Sequence, residues 1–181
     1  MGIAPLETEL RYETNFAPAS SPNFTYMGPA DLGFAAGEEP DSWNVTATEP
    51  GIYTFHLEAF DDQGDAYTDE IAFLAIDKTF LDNLLQVKWN SMKSALLQNK
   101  IEDALDFFEG RSQSAYRNNF QLLANEGLLV QAIEKMGLMR LVEYDGYGVI
   151  YDMRTTKDNT EYSFQVLFVQ DNNGIWKILN F

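Results

Sequence analysis

The chain has no cysteine. That excludes disulfides, thiol nucleophiles and cysteine-ligated zinc, and it leaves the redox compartment open, because exported proteins can also do without cysteine. There is one histidine, His56. It lies between Phe55 and Leu57 in an alternating stretch and reads as a structural or exposed strand residue rather than the base of a Ser/His/Asp set. Basic residues are scarce in the first part of the chain: residues 1–77 hold fifteen acids and one base, Arg11, for a net charge of −14. Residues 78–181 hold thirteen acids and eleven bases, for a net of −2. This deficit excludes nucleic acid and anionic membrane surfaces as expected partners, since both require a basic face. Long apolar runs are also missing. The longest, residues 71–76, is strand length, far short of the roughly 20 residues that cross a bilayer, so no membrane insertion is expected. The start lacks a basic region followed by an apolar stretch, so no signal peptide is visible. Met1-Gly2 is compatible with a replaced leader, and the chain with a fragment of something longer.

What is present suffices for packed cores: 181 residues, 45% hydrophobic and 14% aromatic, enough for one large or two small domains. The charge break at Asp77 predicts two modules, residues 1–77 and 78–181.

The first module alternates as strands do. Leu6, Thr8, Leu10 and Tyr12 fall on one side, Trp43, Val45 and Ala47 alternate again, and residues 24–27 form a short candidate. Residues 28–42, rich in Gly, Pro and acids, read as loop. Tyr53, Phe55, Leu57 and Ala59 then alternate up to the polar turn Asp61-Asp62-Gln63-Gly64-Asp65, and a strand returns over 68–76, which predicts a β-hairpin. The stretch from Gly51-Ile52-Tyr53-Thr54 to Asp61-Asp62-Gln63-Gly64-Asp65 resembles the last hairpin of immunoglobulin-like (PKD and cadherin-like) domains. The resemblance implies a β-sandwich that serves as a spacer or adhesion module of an exported bacterial protein. The first half of the module matches less well and looks short for seven strands.

From residue 79 the period changes. Phe80, Leu84, Val87, Trp89, Met92, Ala95 and Leu96 recur at three and four, which predicts a helix over 80–98 that is ended by Asn99-Lys100. Short helices follow around 101–108, around Tyr116–Leu123 with Ser112 or Ser114 as cap, and over 128–136 up to Gly137. Four strands, 138–144, 148–155, 161–170 and 174–180, are separated by turn signals at Asp145-Gly146 and 171–174. Helices followed by an antiparallel meander make the second module α+β. Trp89-x-x-Met92, Ala104-Leu105-x-Phe107-Phe108 and the closing Gly174-Ile175-Trp176-Lys177-Ile178 are similar to the NTF2-like (cystatin-like, cone-shaped) superfamily. That superfamily hosts enzymes, binders and assembly domains alike, so the resemblance implies a fold and leaves function open.

Tight pairing about each turn predicts the faces of the meander. Val149 opposite Val142, Tyr151 opposite Arg140, Phe164 opposite Tyr151 and Lys177 opposite Phe168 place Arg140, Tyr151, Tyr162 and Lys177 on the helix side. There, with Trp89, they either line a pocket for a small, anionic ligand or form a filled core with polar tips at the sheet ends; the filled core is the preferred reading. The opposite face collects Leu141, Ile150, Leu167, Val169, Trp176 and Ile178, too apolar for a solvated face, and predicts an interface with a protein partner or a second copy. A one-residue slip in any hairpin exchanges these faces.

Asp61, Asp62, Asp65 and Asp69 supply hard oxygen ligands near one hairpin and raise calcium as a cofactor, but their spacing does not fit an EF-hand, and a solvated acidic turn is preferred. Asn23-x-Thr25 and Asn44-x-Thr46 fit the glycosylation pattern, which is frequent by chance. The expected function is a non-enzymatic interaction, adhesion or assembly module, the C-terminal part of a secreted or surface protein, placed by resemblance outside the cell, at the cell surface or in the periplasm. A small-molecule binder or enzyme using the cone pocket is the alternative, and a calcium-dependent adhesion spacer a further one.

Overall fold

The computed structural model describes residues 1–16, 21–39, 41–157 and 160–181, with Lys157 described by its backbone alone. Among them the protein is a mixed α+β structure with three sheets and four helices. It divides into two compact units, Met1–Lys78 and Thr79–Phe181, beside the charge break at Asp77.

The first unit has strands β1 (Gly2–Ile3), β2 (Leu6–Arg11), β3 (Asn23–Met27), β4 (Gly33–Ala36), β5 (Ser42–Ala47), β6 (Gly51–Phe60) and β7 (Ala66–Ile76). They form two sheets, ordered β1-β7-β6-β3 and β2-β5-β4. The count of seven corrects the impression of a module too short for seven strands. The sequence hides β4 because all four of its residues are exposed and only Phe34, near the Trp43 and Phe24 rings at 6.3 Å between centroids, makes an aromatic contact, so its four residues show no alternation. Val45 and Ala47 of β5 pack with Tyr53 and Phe55 of β6 and Ala75 of β7, and Leu6, Leu10 and Phe73 complete this core. Phe73 stacks on Tyr53 and Phe55 at 5.4 and 5.5 Å between ring centroids. The Tyr53 hydroxyl donates to the Glu49 carbonyl at 2.9 Å across the β5–β6 turn.

The second unit runs α1 (Lys78–Leu97), α2 (Ile101–Leu105), α3 (Gly110–Asn125), α4 (Leu129–Glu134), then β8 (Met139–Tyr144), β9 (Gly148–Lys157), β10 (Thr160–Gln170) and β11 (Trp176–Asn180). The strands form one antiparallel meander in the order β11-β10-β9-β8. Helix α1 buries Leu81, Leu85, Trp89, Met92 and Leu96. Phe80 and Val87, expected on that stripe, are 65% and 63% exposed. Phe80 stands one residue before Leu81, about 100° round the helix. Asn99, at φ 57°, ends α1 as a left-handed C-cap. The Lys100 N–H returns to the Ala95 carbonyl and the Asn99 N–H to the Leu96 carbonyl, each at 2.9 Å, the double closure of a Schellman motif. Helix α3 is capped by Glu109, whose side chain accepts from the Arg111 N–H. Ser112 is therefore not the cap; its hydroxyl donates to the Leu179 carbonyl at 2.6 Å. The segment before α3 covers the outer edge of β11, with the Ile178 N–H bonded to the Phe107 carbonyl at 2.8 Å and the Glu109 N–H to the Ile178 carbonyl at 2.9 Å. Capping an edge in this way removes a template for unwanted pairing.

Two hairpins depart from the expected register by one residue. Arg140 pairs with Asp152 and Leu141 with Tyr151, with a bulge between Leu141 and Glu143. Phe168 pairs with Ile178 and Val169 with Lys177, with a bulge at Leu167/Phe168. The cause lies in the turn for β10–β11 and in the turn together with the bulge for β8–β9. Asp145 accepts from the Tyr147 and Gly148 N–H groups, and Asp171 from those of Asn173 and Ile175. With Gly146 and Gly174 at φ 88° and 75°, each aspartate stabilises a loop longer than the two-residue turn. In β10–β11 this shifts the pairing by one, whereas in β8–β9 it shifts it by two, with Tyr144 opposite Val149, and the bulge beyond Leu141 takes one back. The β9–β10 hairpin differs by two residues, Phe164 lying opposite Met153, and an even shift preserves the faces. Its expected turn at Lys157-Asp158 lies partly outside the described residues.

Candidate functional site

Of the five residues expected on the helix side of the meander, the structure brings two into the interior. Trp89 is 1% exposed and Tyr151 fully buried. The Tyr151 hydroxyl donates to Asp82 Oδ1 at 2.9 Å. Gln86 Nε2 donates to the same oxygen at 3.3 Å and to the Met139 carbonyl at 3.0 Å. A carboxylate, an amide and a phenol thus tie α1 to β8 and β9. Burial, and then the Asp82 carboxylate, push the Tyr151 phenol above its ordinary 10.0. The folded chain therefore keeps this proton at a pH where the unfolded chain loses it. The resulting stability is fully present below about pH 10 and falls as pH rises further. Tyr151→Phe should cost about 1–2 kcal/mol at neutral pH, because Asp82 loses its shortest donor. It should also flatten the decline above pH 10, and urea unfolding of both proteins at neutral and alkaline pH measures this.

The register slips move the other candidates. Arg140 is exposed on the far face beside Asp152. Lys177 is half-buried, also on the far face, and its ammonium donates to the Asp106 carbonyl at 2.6 Å. Neither belongs to an interior pocket, which corrects both placements. Tyr162 keeps its face but is 45% exposed. It borders an open cavity of about 490 Å³ with Phe164, Met153, Met136 and Phe181.

The expected interface is rearranged by the same slips. Trp176 and Ile178 are core residues at 6% and 0% exposure, and Leu141 joins the core side opposite Tyr151. Ile150, Leu167 and Val169 remain together on the far face, half-buried, with Leu167 directly opposite Ile150. Asp152 and Arg154 share that face, and the Ser163 hydroxyl, followed by the Arg154 guanidinium at 2.7 Å, holds Asp152 below the usual carboxylate range.

In the first unit, Asp61 is used by its own turn. Its carboxylate accepts from the Gln63 and Asp65 N–H groups and from the Tyr67 hydroxyl, which holds it below the ordinary range. Asp62, Asp65 and Asp69 are exposed. Among the described residues no group of three or more acids or histidines is placed to hold a metal ion. His56 lies on the outer face, its Nδ1 3.1 Å from Glu70. Asp82 and Gln86 escaped the sequence reading. Their signal was a polar pair at i, i+4 bordering the Leu81–Leu85–Trp89 stripe, which marks polar groups drawn partly inside.

No protein-family model and no curated protein matches this chain. Among the described residues no helix is long and apolar enough to cross a membrane.

Proposed function

We propose that the chain is a non-enzymatic interaction module built from an Ig-like β-sandwich and an NTF2-like α+β domain. The strand order supports the first half of this reading. Sheets β2-β5-β4 and β7-β6-β3 correspond to the B-E-D and G-F-C sheets of an immunoglobulin-like fold, with β1 beside β7 as the first strand. The Tyr53–Glu49 hydrogen bond has the form of the tyrosine corner found where the two sheets connect. The long amphipathic α1 and the four-stranded meander support the second half.

The observation that carries the function is the filled interior of the second unit. Trp89, Tyr151 and Phe168 occupy the space where a cone-shaped binder would hold a ligand, each at most 1% exposed, and the half-buried Asp82 carboxylate beside them accepts from Tyr151 and Gln86. Chemistry is left to surfaces, and the Ile150, Leu167 and Val169 face is the apolar one on the sheet. The setting outside the cell, at its surface or in the periplasm, follows the Ig-like resemblance. A second reading, a small apolar ligand held between Tyr162, Phe164 and Phe181, is favoured by the open cavity there.

Light scattering of the intact chain over a concentration series separates the two. Association that is abolished by the double change Ile150→Glu/Leu167→Glu supports the sheet face. A strict monomer at high concentration, together with a saturable melting shift from a small metabolite that Phe164→Ala removes, transfers the function to the cavity.

A further inference from the structure

The first unit has room for one more strand. Among the described residues, β2 of its smaller sheet pairs only with β5, and β7 of the larger one meets β1 only at Ala75 and Ile76. Among the described residues the other edge of 66–74 carries no strand. These two edges, unpaired among the described residues, flank a cavity of about 580 Å³, bounded by residues 9–16 on one side and 67–71 on the other.

The side chains show the same vacancy. Ile71 lies opposite Phe55 and Tyr67 opposite Ala59, so all four point to the inner face of the sheet. Phe55 and Ala59 are 2% and 1% exposed, whereas Ile71 and Tyr67 are 57% and 48% exposed. The Tyr67 ring rests on Phe16, with centroids 4.6 Å apart, but Ile71, an inward apolar residue with half its surface in water, lacks such a cover among the described residues. Finally, β1 runs parallel to β7, with Gly2 beside Ala75, and its line prolonged past Gly2 follows the open edge.

We propose that this groove is a strand-acceptor site, which binds an extended segment of a basic partner protein by β-addition along β7, in line with β1. Main-chain hydrogen bonds to the free edge supply affinity, and alternate apolar side chains fill the space over Phe55 and Ile71. Charge selects the partner. The module carries a net −14 with Arg11 as its one base, and Arg11 is engaged by Glu13 at 3.3 Å. Glu9, Glu13 and Asp69 border the groove. A segment with Lys or Arg between its apolar positions is attracted, and a second copy of this chain, with net charge −16, is repelled. This inference rests on the interaction-module reading and names a partner class for it.

The test titrates the intact chain with a blocked peptide of alternating valine and lysine, about eight residues long, enough to span 66–74 at roughly 3.3 Å per residue. Controls are a scrambled peptide of the same composition and one with glutamate in place of lysine. The expected result is saturable binding of the first peptide alone, with slowed amide exchange in β7. Ile71→Lys should weaken it at least tenfold and Asp69→Lys several-fold, while Ile52→Lys, on the outer face at 66% exposure, leaves it unchanged. Melting temperatures verify folding, and Ile71→Thr replaces Ile71→Lys if the latter unfolds. No saturable binding, equal binding of a control peptide, indifference to the Ile71 change, or pairing of two copies through this groove each overturns the proposal. The Ile150→Glu/Leu167→Glu scattering experiment is independent of the groove, so a silent groove and a failed interaction reading give different results.

Discussion

Trp89→Ala is expected to lower the unfolding free energy by about 3–5 kcal/mol, the range for removing a large buried aromatic. Trp89 is 1% exposed on the inner stripe of α1 and meets Phe181 edge-on, with ring centroids 5.0 Å apart. The surroundings cannot close over the void, because the Asp82–Tyr151 and Gln86–Met139 bonds hold α1 to the sheet at a set distance. Trp89→Phe should behave differently. The indole Nε1 is buried without a hydrogen-bond partner, and an orphaned donor costs about 1–3 kcal/mol. Removing it offsets part of the lost packing, so the phenylalanine variant should lose no more than about 2 kcal/mol, with ring-sized volume retained. Urea unfolding followed by the helical far-UV signal is the measurement, since every helix begins at or after Lys78. Equal losses for the two variants would show that the indole N–H is satisfied after all.

Gly137→Ala should be nearly as damaging, about 3 kcal/mol, the upper end of overpacking costs. A Cβ at Gly137 would stand 1.7 Å from the Arg154 carbonyl oxygen. That atom belongs to β9 and cannot move without disturbing the central pair of the meander. The approach segment is equally constrained: the Lys135 carbonyl accepts from the Thr155 hydroxyl at 2.8 Å and the Met136 carbonyl from Lys93 Nζ at 2.7 Å. Gly110→Ala is the matched contrast. Nothing lies within 4 Å of a Cβ there, and Gly110 is the first residue of α3. It should stabilise by about 0.4–1 kcal/mol, because alanine restricts the unfolded chain at no cost to the native one. Thermal and urea unfolding of the pair separate steric occupation from chain entropy; destabilisation of similar size at both sites would reject the distinction.

Local patterns carried much of the architecture. The alternation through Tyr53, Phe55, Leu57 and Ala59 marked β6, the three-and-four spacing around Trp89 and Met92 marked α1, and the helices-then-strands order marked the second unit as α+β. These are signals between near neighbours in sequence, and backbone geometry alone translates them into elements. β4 stayed hidden because all four of its residues are exposed, and only pairing with β5 makes it a strand.

The candidate sites were read less well, and for one reason. A strand's two faces differ by a single step, so the fate of Lys177, Trp176 and Ile178 depended on the loop length set by the Asp171 side chain, and that of Arg140 on the bulge beyond Leu141. Tyr151 and Ile150 kept their faces because β9 and β10 shifted by an even number. By itself the sequence determined the elements, the charge division near Asp77 and the alternation within each strand, because those depend on residues a few positions apart. Which face met α1, which phenol reached Asp82, and which edge of the first unit was left open were decided only in three dimensions, where bulges and capped loops bring residues far apart in the chain into register.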